Sequence, residues 1–311
     1  MDIQDWIEES IINIRSDGFS GIQTALYPVY KKGLHQLFKL SPSGELLFER
    51  EWDVLIILDG CRVDVMKEVA PDISYIDTVS ELTSVDTMTR EWMKKNFNDS
   101  FAGEMAQTAF ICGNPHSDLL LEQTKFYSLE EVWKYGWDHE LGTVPPRRLT
   151  DQAISLSRDI SPPQMIIHYM QPHYPFITEP ELCNGIDIDR FGELPWDNIW
   201  ERLQKGEVEK NKVWRGYRKN LSYVLDEIEI LLNNIDAEKV VITSDHGNAI
   251  GEWGIYGHPI HMPLKVLQTV PWIETSASDS GTYTPDQSQS NVSTKQTDPS
   301  VKSRLSQLGY R

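Results

Sequence analysis

KVVITSDHGNAIGEWGIYGHP, residues 239–259, contains an apolar run, Val240-Val241-Ile242-Thr243, that stops abruptly at Ser244-Asp245-His246-Gly247, and a His-Pro pair follows at His258-Pro259. Val and Ile favour strands, and a strand buried on both faces of a parallel sheet is a near-continuous apolar run. An Asp-His pair just past the carboxyl end of such a strand lies where open α/β sheets bind ligands. Asp oxygen together with His nitrogen suits a divalent cation such as zinc or manganese.

Three more runs end in the same way. Val54 to Leu58 stops at Asp59-Gly60, Thr108 to Cys112 at Gly113-Asn114-Pro115-His116, and Gln164 to Met170 at Gln171-Pro172-His173. Ile73 to Ile76 reads as a further strand and Ser80 to Asp86 as a polar turn. Helical segments separate them: Val63 to Val69, TMTREWMKKNF at 87–97, and a stretch from Trp214 in which Tyr217, Leu221, Val224, Leu225, Ile228, Leu231 and Leu232 recur at three and four. Strands alternating with helices predict an α/β fold, a doubly wound and mostly parallel sheet flanked by helices. Pro263 to Ile273 adds a last apolar stretch. The expected organisation is a helical extension over 1–50, a catalytic domain over 51–273, a disordered polar linker over 274–300 and a short helix over 301–311.

Of the 311 residues, 47 are acidic and 29 basic, a formal charge of −18. That balance argues against nucleic acid or an anionic membrane as the main partner, because both need a basic footprint. Cys61, Cys112 and Cys183 show no CxxC spacing, so neither a disulfide framework nor a structural zinc site is expected. The amino-terminal stretch lacks the basic start and apolar core of a signal peptide, and no run of about 18 apolar residues is present. A cytoplasmic, non-membrane-spanning protein is the expectation.

In a parallel sheet the carboxyl ends of the strands share one edge, so these separate clusters can converge. Asp59, Asp245 and His246 then supply two carboxylates and an imidazole, three of the four ligands of a catalytic metal. Blander roles exist for each residue. An Asp ending a strand can simply cap the next helix. His116, His139 and His261 read as structural loop histidines, and His168, inside its apolar strand, as a satisfied core histidine.

ILDG at 57–60, the turn into TREW, HYMQPHYPF at 168–176 and SDHGNAIGEWGIYGHP at 244–259 occur in the order seen in the alkaline phosphatase superfamily. They most resemble its sulfatase-type branch, as found in archaeal sulfatase-like proteins, and the closing RLSQLGY resembles the tail of that branch. The resemblance implies a metal site at the carboxyl edge of the sheet. It makes Asp59 the first-strand metal ligand, and Asp245 and His246 the late ones. His173 would contact the transferred group, and His258 would ligate a second metal or touch the substrate. The nucleophile, itself a metal ligand, should open the helix after the second strand, where the helix N-terminus favours an anion. Thr87 is the choice, since Thr87-Met88-Thr89-Arg90-Glu91-Trp92 resembles the nucleophile segment of lipoteichoic-acid-synthase-type members; Thr89 is second and Ser84 third. Arg62 or Arg90 would add charge neutralisation.

The chain also departs from the sulfatase pattern. It has no Cys/Ser-x-Pro-x-Arg motif from which a formylglycine is made, and Gly60 stands where many sulfatases have a second Asp. The expected function is therefore a metal-dependent hydrolase of phosphate mono- or diesters, or of sulfate esters, acting through a threonine. The alternatives are a phospho-alcohol transferase acting on a glycan or lipid head group, and a member that binds anions or glycans without chemistry. The expected cofactor is zinc or manganese, with calcium or magnesium next. The expected partner is a small-molecule or glycan-linked phosphate or sulfate ester.

Overall fold

A computed structural model describes residues 19–39, 43–182, 184–191 and 198–286. The chain divides into two units, one of residues 1–43 with 261–263 and one of residues 44–260 with 264–311. In the smaller unit α1 (Phe19–Phe38) is a helix, and the His261 ring stacks on Phe38 with centroids 5.3 Å apart. No helix among the described residues is long and apolar enough to cross a membrane.

The larger unit runs β1 (Val54–Asp59), α2 (Val63–Val69), β2 (Ser80–Thr83), α3 (Thr89–Asn96), β3 (Thr108–Cys112), β4 (Ser128–Glu131), α4 (Pro146–Ile160), β5 (Gln164–Pro172), α5 (Lys210–Leu232), β6 (Ala237–Thr243), β7 (Ala249–Ile250), β8 (Tyr256–Gly257) and β9 (Thr269–Ala277), with short single-turn helices between. The main sheet has seven strands in the order β2-β9-β6-β1-β5-β3-β4. The run β6-β1-β5-β3-β4 is parallel throughout, while β9 pairs antiparallel with both β6 and β2. β1 sits in the middle and is buried along its whole length, which is why its sequence does not alternate. Val54, Ile56 and Leu58 point into a core with Val65 of α2, Leu149 and Ile154 of α4, and Tyr217, Leu221 and Val224 of α5. Leu55 and Ile57 point the other way, onto Trp92, Phe97, Phe110 and Val270. Both faces are covered, as a doubly wound sheet requires.

Three expectations need correction. Ile73 to Ile76 forms no strand; it follows a 3₁₀ turn (Ala70–Asp72), and Ile76 N–H bonds back to the Ile73 carbonyl at 3.2 Å while its side chain joins the core. The strand is instead Ser80–Thr83, read from sequence as a turn because only Leu82 of the four is buried. The linker expected from 274 begins later. β9 carries the sheet to Ala277, Arg158 grips Asp279 at 2.7 Å, and Tyr283 Oη donates to Asp151 at 2.6 Å. Backbone pairing and two anchors hold a segment that has few hydrophobes. Lastly, residues 44–50 belong to the larger unit, where Glu45 N–H donates to Thr83 O at 2.9 Å. Residues 1–18, the rest of the expected linker from 287 and the helix expected over 301–311 lie outside the described residues.

Candidate metal centre

Asp59 is the last residue of β1. The chain then turns at Gly60 (φ 66°), whose N–H donates to Asp245 Oδ1 at 2.9 Å. Asn114, just past β3, donates from Nδ2 to Asp59 Oδ2 at 2.7 Å, and Asp59 Oδ1 is buried with no hydrogen-bond partner. Asp245 lies two residues beyond β6. Its Oδ1 also accepts the His246 N–H at 2.9 Å, and its Oδ2 accepts Thr89 Oγ1–H at 2.7 Å. His246 Nδ1 is 2.9 Å from Gly247 O. A carbonyl only accepts, so Nδ1 carries the proton and Nε2 presents its lone pair to the cluster. That Nε2 stands 3.1 Å from Thr89 Oγ1, 3.4 Å from Asp245 Oδ2 and 3.9 Å from Asp59 Oδ1. Asp59, Thr89, Asp245 and His246 are all buried.

Charge explains what this cluster can hold. Burial, reinforced by the neighbouring Asp245, pushes the Asp59 carboxyl well above its usual range. Burial opposes ionisation of Asp245 too, but His246, His168 and the Gly60 and Thr89 donors outweigh it and hold that carboxyl below its usual range. Two carboxylates, a bare imidazole nitrogen and a hydroxyl converge, and one carboxylate oxygen has nothing to bind. A divalent cation satisfies this donor set, because oxygen and nitrogen ligands of these types are those of zinc and manganese sites.

The outer wall is a histidine pair. His173 sits in a turn whose Gln171-Pro172 and Tyr174-Pro175 bonds are both cis. Asn220 of α5 pins this turn, donating to His173 O at 3.0 Å and Pro172 O at 3.2 Å and accepting Ile177 N–H at 3.1 Å. His173 Nδ1 lies 2.6 Å from Tyr174 O, so its Nε2 is bare, and the His258 Nε2 found 3.0 Å away must carry the proton between them. The His258 ring stacks on His246, centroids 4.3 Å apart. Burial brings the His173 imidazole down to about 4, and burial with His246 and His173 nearby takes His258 well below its usual value. Both rings are neutral at pH 7.

The structure thus brings together Asp59, Asp245, His246, His173 and His258, and separates the three hydroxyl candidates. Thr87 Oγ1 donates to Pro259 O at 2.7 Å. Thr89 opens α3 and bonds Asp245; Met88 ahead of it is extended, so the helix begins two residues after Thr87. Ser84 Oγ donates to the main-chain carbonyl of Asp245 and braces the loop from behind. Two residues missed from sequence are Asn114, whose only signal was its place past a strand end, and His168. The latter is fully buried as expected but not satisfied, since neither ring nitrogen has a hydrogen-bond partner.

Arg62 is fully engaged in holding the loop. Its Nη2 meets Asp64 Oδ2 at 2.6 Å, and its Nη1 reaches both Asn248 O and Glu252 Oε1 at 2.8 Å. Burial opposes ionisation of Asp64 and Glu252, yet Arg62 outweighs it and keeps both below their usual values of 3.8 and 4.5. Carboxyls that titrate lower in the folded chain than in the unfolded one stabilise it fully above the unfolded values, and that stability is lost as pH falls through the folded ones. Arg62→Met removes the linkage. The gap in thermal midpoint between wild type and Arg62→Met is therefore expected to be widest near pH 7 and to narrow below about pH 4.

Gly247 makes a second test of the loop. Its N–H donates to Leu267 O at 2.9 Å, and a Cβ there would meet Val266 O at 2.0 Å. Main chain cannot rotate away as a side chain can. Gly247→Ala is expected to cost about 1–3 kcal/mol in denaturant unfolding, the usual cost of overpacking, and to move His246 off the cluster.

No protein-family model matches the chain, and no curated protein matches it in sequence. Solved structures do match in shape. The soluble domain of lipooligosaccharide phosphoethanolamine transferase A from Neisseria meningitidis shares 12% identity at a TM-score of 0.50, over 73% of this chain and 76% of that one. The integral membrane form of that transferase, also from Neisseria meningitidis, gives 12% and 0.51, over 89% of this chain and 59% of its own. A 2-O GAG sulfatase gives 14% and 0.43, over 75% and 64%. The fold is accordingly the alkaline-phosphatase-like one, a mostly parallel α/β sheet flanked by helices. Nothing in these matches supports the archaeal origin that the motifs suggested.

Proposed function

We propose that this protein cleaves phosphate esters of a small molecule or glycan with a divalent cation, zinc or manganese, and Thr89 as nucleophile. The observation that carries the reading is Thr89 Oγ1, held 2.7 Å from Asp245 Oδ2 and 3.1 Å from His246 Nε2 at the first residue of a helix. Asp59, Asp245 and His246 would hold the cation, which supplies Lewis acidity to the hydroxyl and to an ester oxygen. The hydrogen bond to Asp245 fixes the Thr89 hydroxyl in one rotamer, and the N-terminus of α3 favours the incoming anion. Thr89 Oγ1 would give its proton to Asp245 Oδ2, which already accepts it at 2.7 Å, and form the new bond to phosphorus as the ester bond to the leaving oxygen breaks. His258, with its proton on Nε2 and beside the bare nitrogen of His173, would give that proton to the leaving oxygen. Water then releases the phosphothreonine.

Phosphate is favoured over sulfate by the missing Cys/Ser-x-Pro-x-Arg motif, because a threonine cannot become formylglycine. The test is hydrolysis of p-nitrophenyl phosphate, bis-p-nitrophenyl phosphate and p-nitrophenyl sulfate with added zinc or manganese. Phosphate-ester turnover above the sulfate rate is expected. Sulfate turnover alone, or no turnover with either ion, overturns the reading.

A further inference from the structure

His168 lies on β5 beneath the Asp59–Asp245 pair, fully buried, and neither of its ring nitrogens has a hydrogen-bond partner. Leaving a buried polar group unpaired costs about 1–3 kcal/mol. A phenyl ring would fill the same slot, which is aromatic on two sides: the imidazole stacks parallel to Phe110 at 6.4 Å and meets Trp92 edge-on at 5.9 Å. Packing alone therefore gives no reason for an imidazole here. What the ring faces does. Its Nε2 is 3.9 Å from Asp245 Oδ2, too long for a hydrogen bond, and Asp59, His168 and Asp245 each offer a donor atom within 4.8 Å of the others. Two donors on one ion, each about 2.0–2.2 Å from it, are separated by up to about 4.4 Å. The carboxylates thus have an unpaired imidazole nitrogen of β5 within reach as well as His246 Nε2, which is 3.4 Å from Asp245 Oδ2.

We propose that His168, on β5, is a further ligand of the cation site. The proposal rests on the metal-binding half of the function proposed above, and not on its chemistry. An ion held by His168 as well as His246 would have two imidazole ligands, which favours a nitrogen-loving ion such as zinc over calcium or magnesium.

The test reads the metal rather than turnover. X-ray absorption at the zinc edge of the zinc-loaded full chain is expected to show two imidazoles, and His168→Phe and His246→Ala one each. His168→Phe should weaken zinc binding, measured by competition with a chromophoric chelator, by tenfold or more. It should leave the thermal midpoint of the zinc-free protein unchanged or higher, because the phenyl ring relieves an unpaired group. Where His168→Phe does not fold, His168→Gln takes its place in the same measurements. A wild-type count of one imidazole overturns the proposal without any variant, and so does an unchanged count and affinity in the His168 variant. Failure of zinc to bind the wild type overturns both this proposal and the metal reading. Zinc bound through one imidazole, with ester turnover intact, overturns this one alone.

Discussion

Thr89→Ala is expected to abolish phosphate-ester turnover, by about four orders of magnitude or more, while Thr87→Ala leaves most of it. The size follows from loss of the group that forms the bond to phosphorus, since removing a nucleophile from an assembled site forfeits nearly all that its partners contribute. Thr87→Ala loses a hydrogen bond to Pro259 O, about 1 kcal/mol of stability. Thr89→Ser should retain measurable turnover, because it keeps a hydroxyl where Asp245 can hold it. Rapid quench of the wild type in acid, followed by peptide mass spectrometry, should find phosphate on the peptide containing Thr89. The reverse pattern, with Thr87→Ala inactive and Thr89→Ala active, would return the nucleophile to the position favoured from sequence.

The second large effect concerns the cation. Asp245 ties several parts of the site together: Oδ1 accepts two main-chain N–H groups and Oδ2 accepts Thr89. Asp245→Asn keeps the shape but removes the charge and turns one acceptor into a donor facing the Thr89 hydroxyl or the Gly60 and His246 N–H groups. Zinc at a thousandfold excess over its dissociation constant should stabilise the wild type by about 4 kcal/mol through preferential binding to the folded chain. Thermal melts with zinc and with EDTA should show that gap for wild type and none for Asp245→Asn, along with loss of turnover. A zinc-dependent shift preserved in the variant would place the cation elsewhere.

Much of this was legible in the sequence, for a definite reason. β1, β3, β5 and β6 are central strands buried on both faces, so each is an apolar run that stops where the chain leaves the sheet, and the stops are Asp59, Asn114, His173 and Asp245. β2 was not legible because an edge strand with one buried residue in four has no such run. Nor was the antiparallel course of β9, since its stretch from Val270 to Ile273 is buried without alternation, as in a parallel strand. Thr87 and Thr89 stand two residues apart before one helix, and what separates them is where that helix begins. The helix is capped by Met88, whose side chain makes no cap bond, so the usual capping signal pointed nowhere. His168 shows the limit from the other side. An apolar neighbourhood predicts burial, but whether a buried nitrogen finds a partner depends on strands far away in sequence.

That dependence on distance has a consequence for how the protein matures. Gly60 reaches Asp245 across 185 residues, Cys61 N–H reaches Ser244 Oγ across 183, and Ser84 reaches the Asp245 carbonyl across 161. Contacts of such span form late, after the loop entropy between them has been lost, so folding through them is slow relative to local helix formation. During synthesis a chain that has emerged only as far as α5 carries Asp59 and Thr89 but neither Asp245 nor His246. It holds half of the candidate cation site and no means of closing it. Capture of the proposed cation would then be a terminal event of folding.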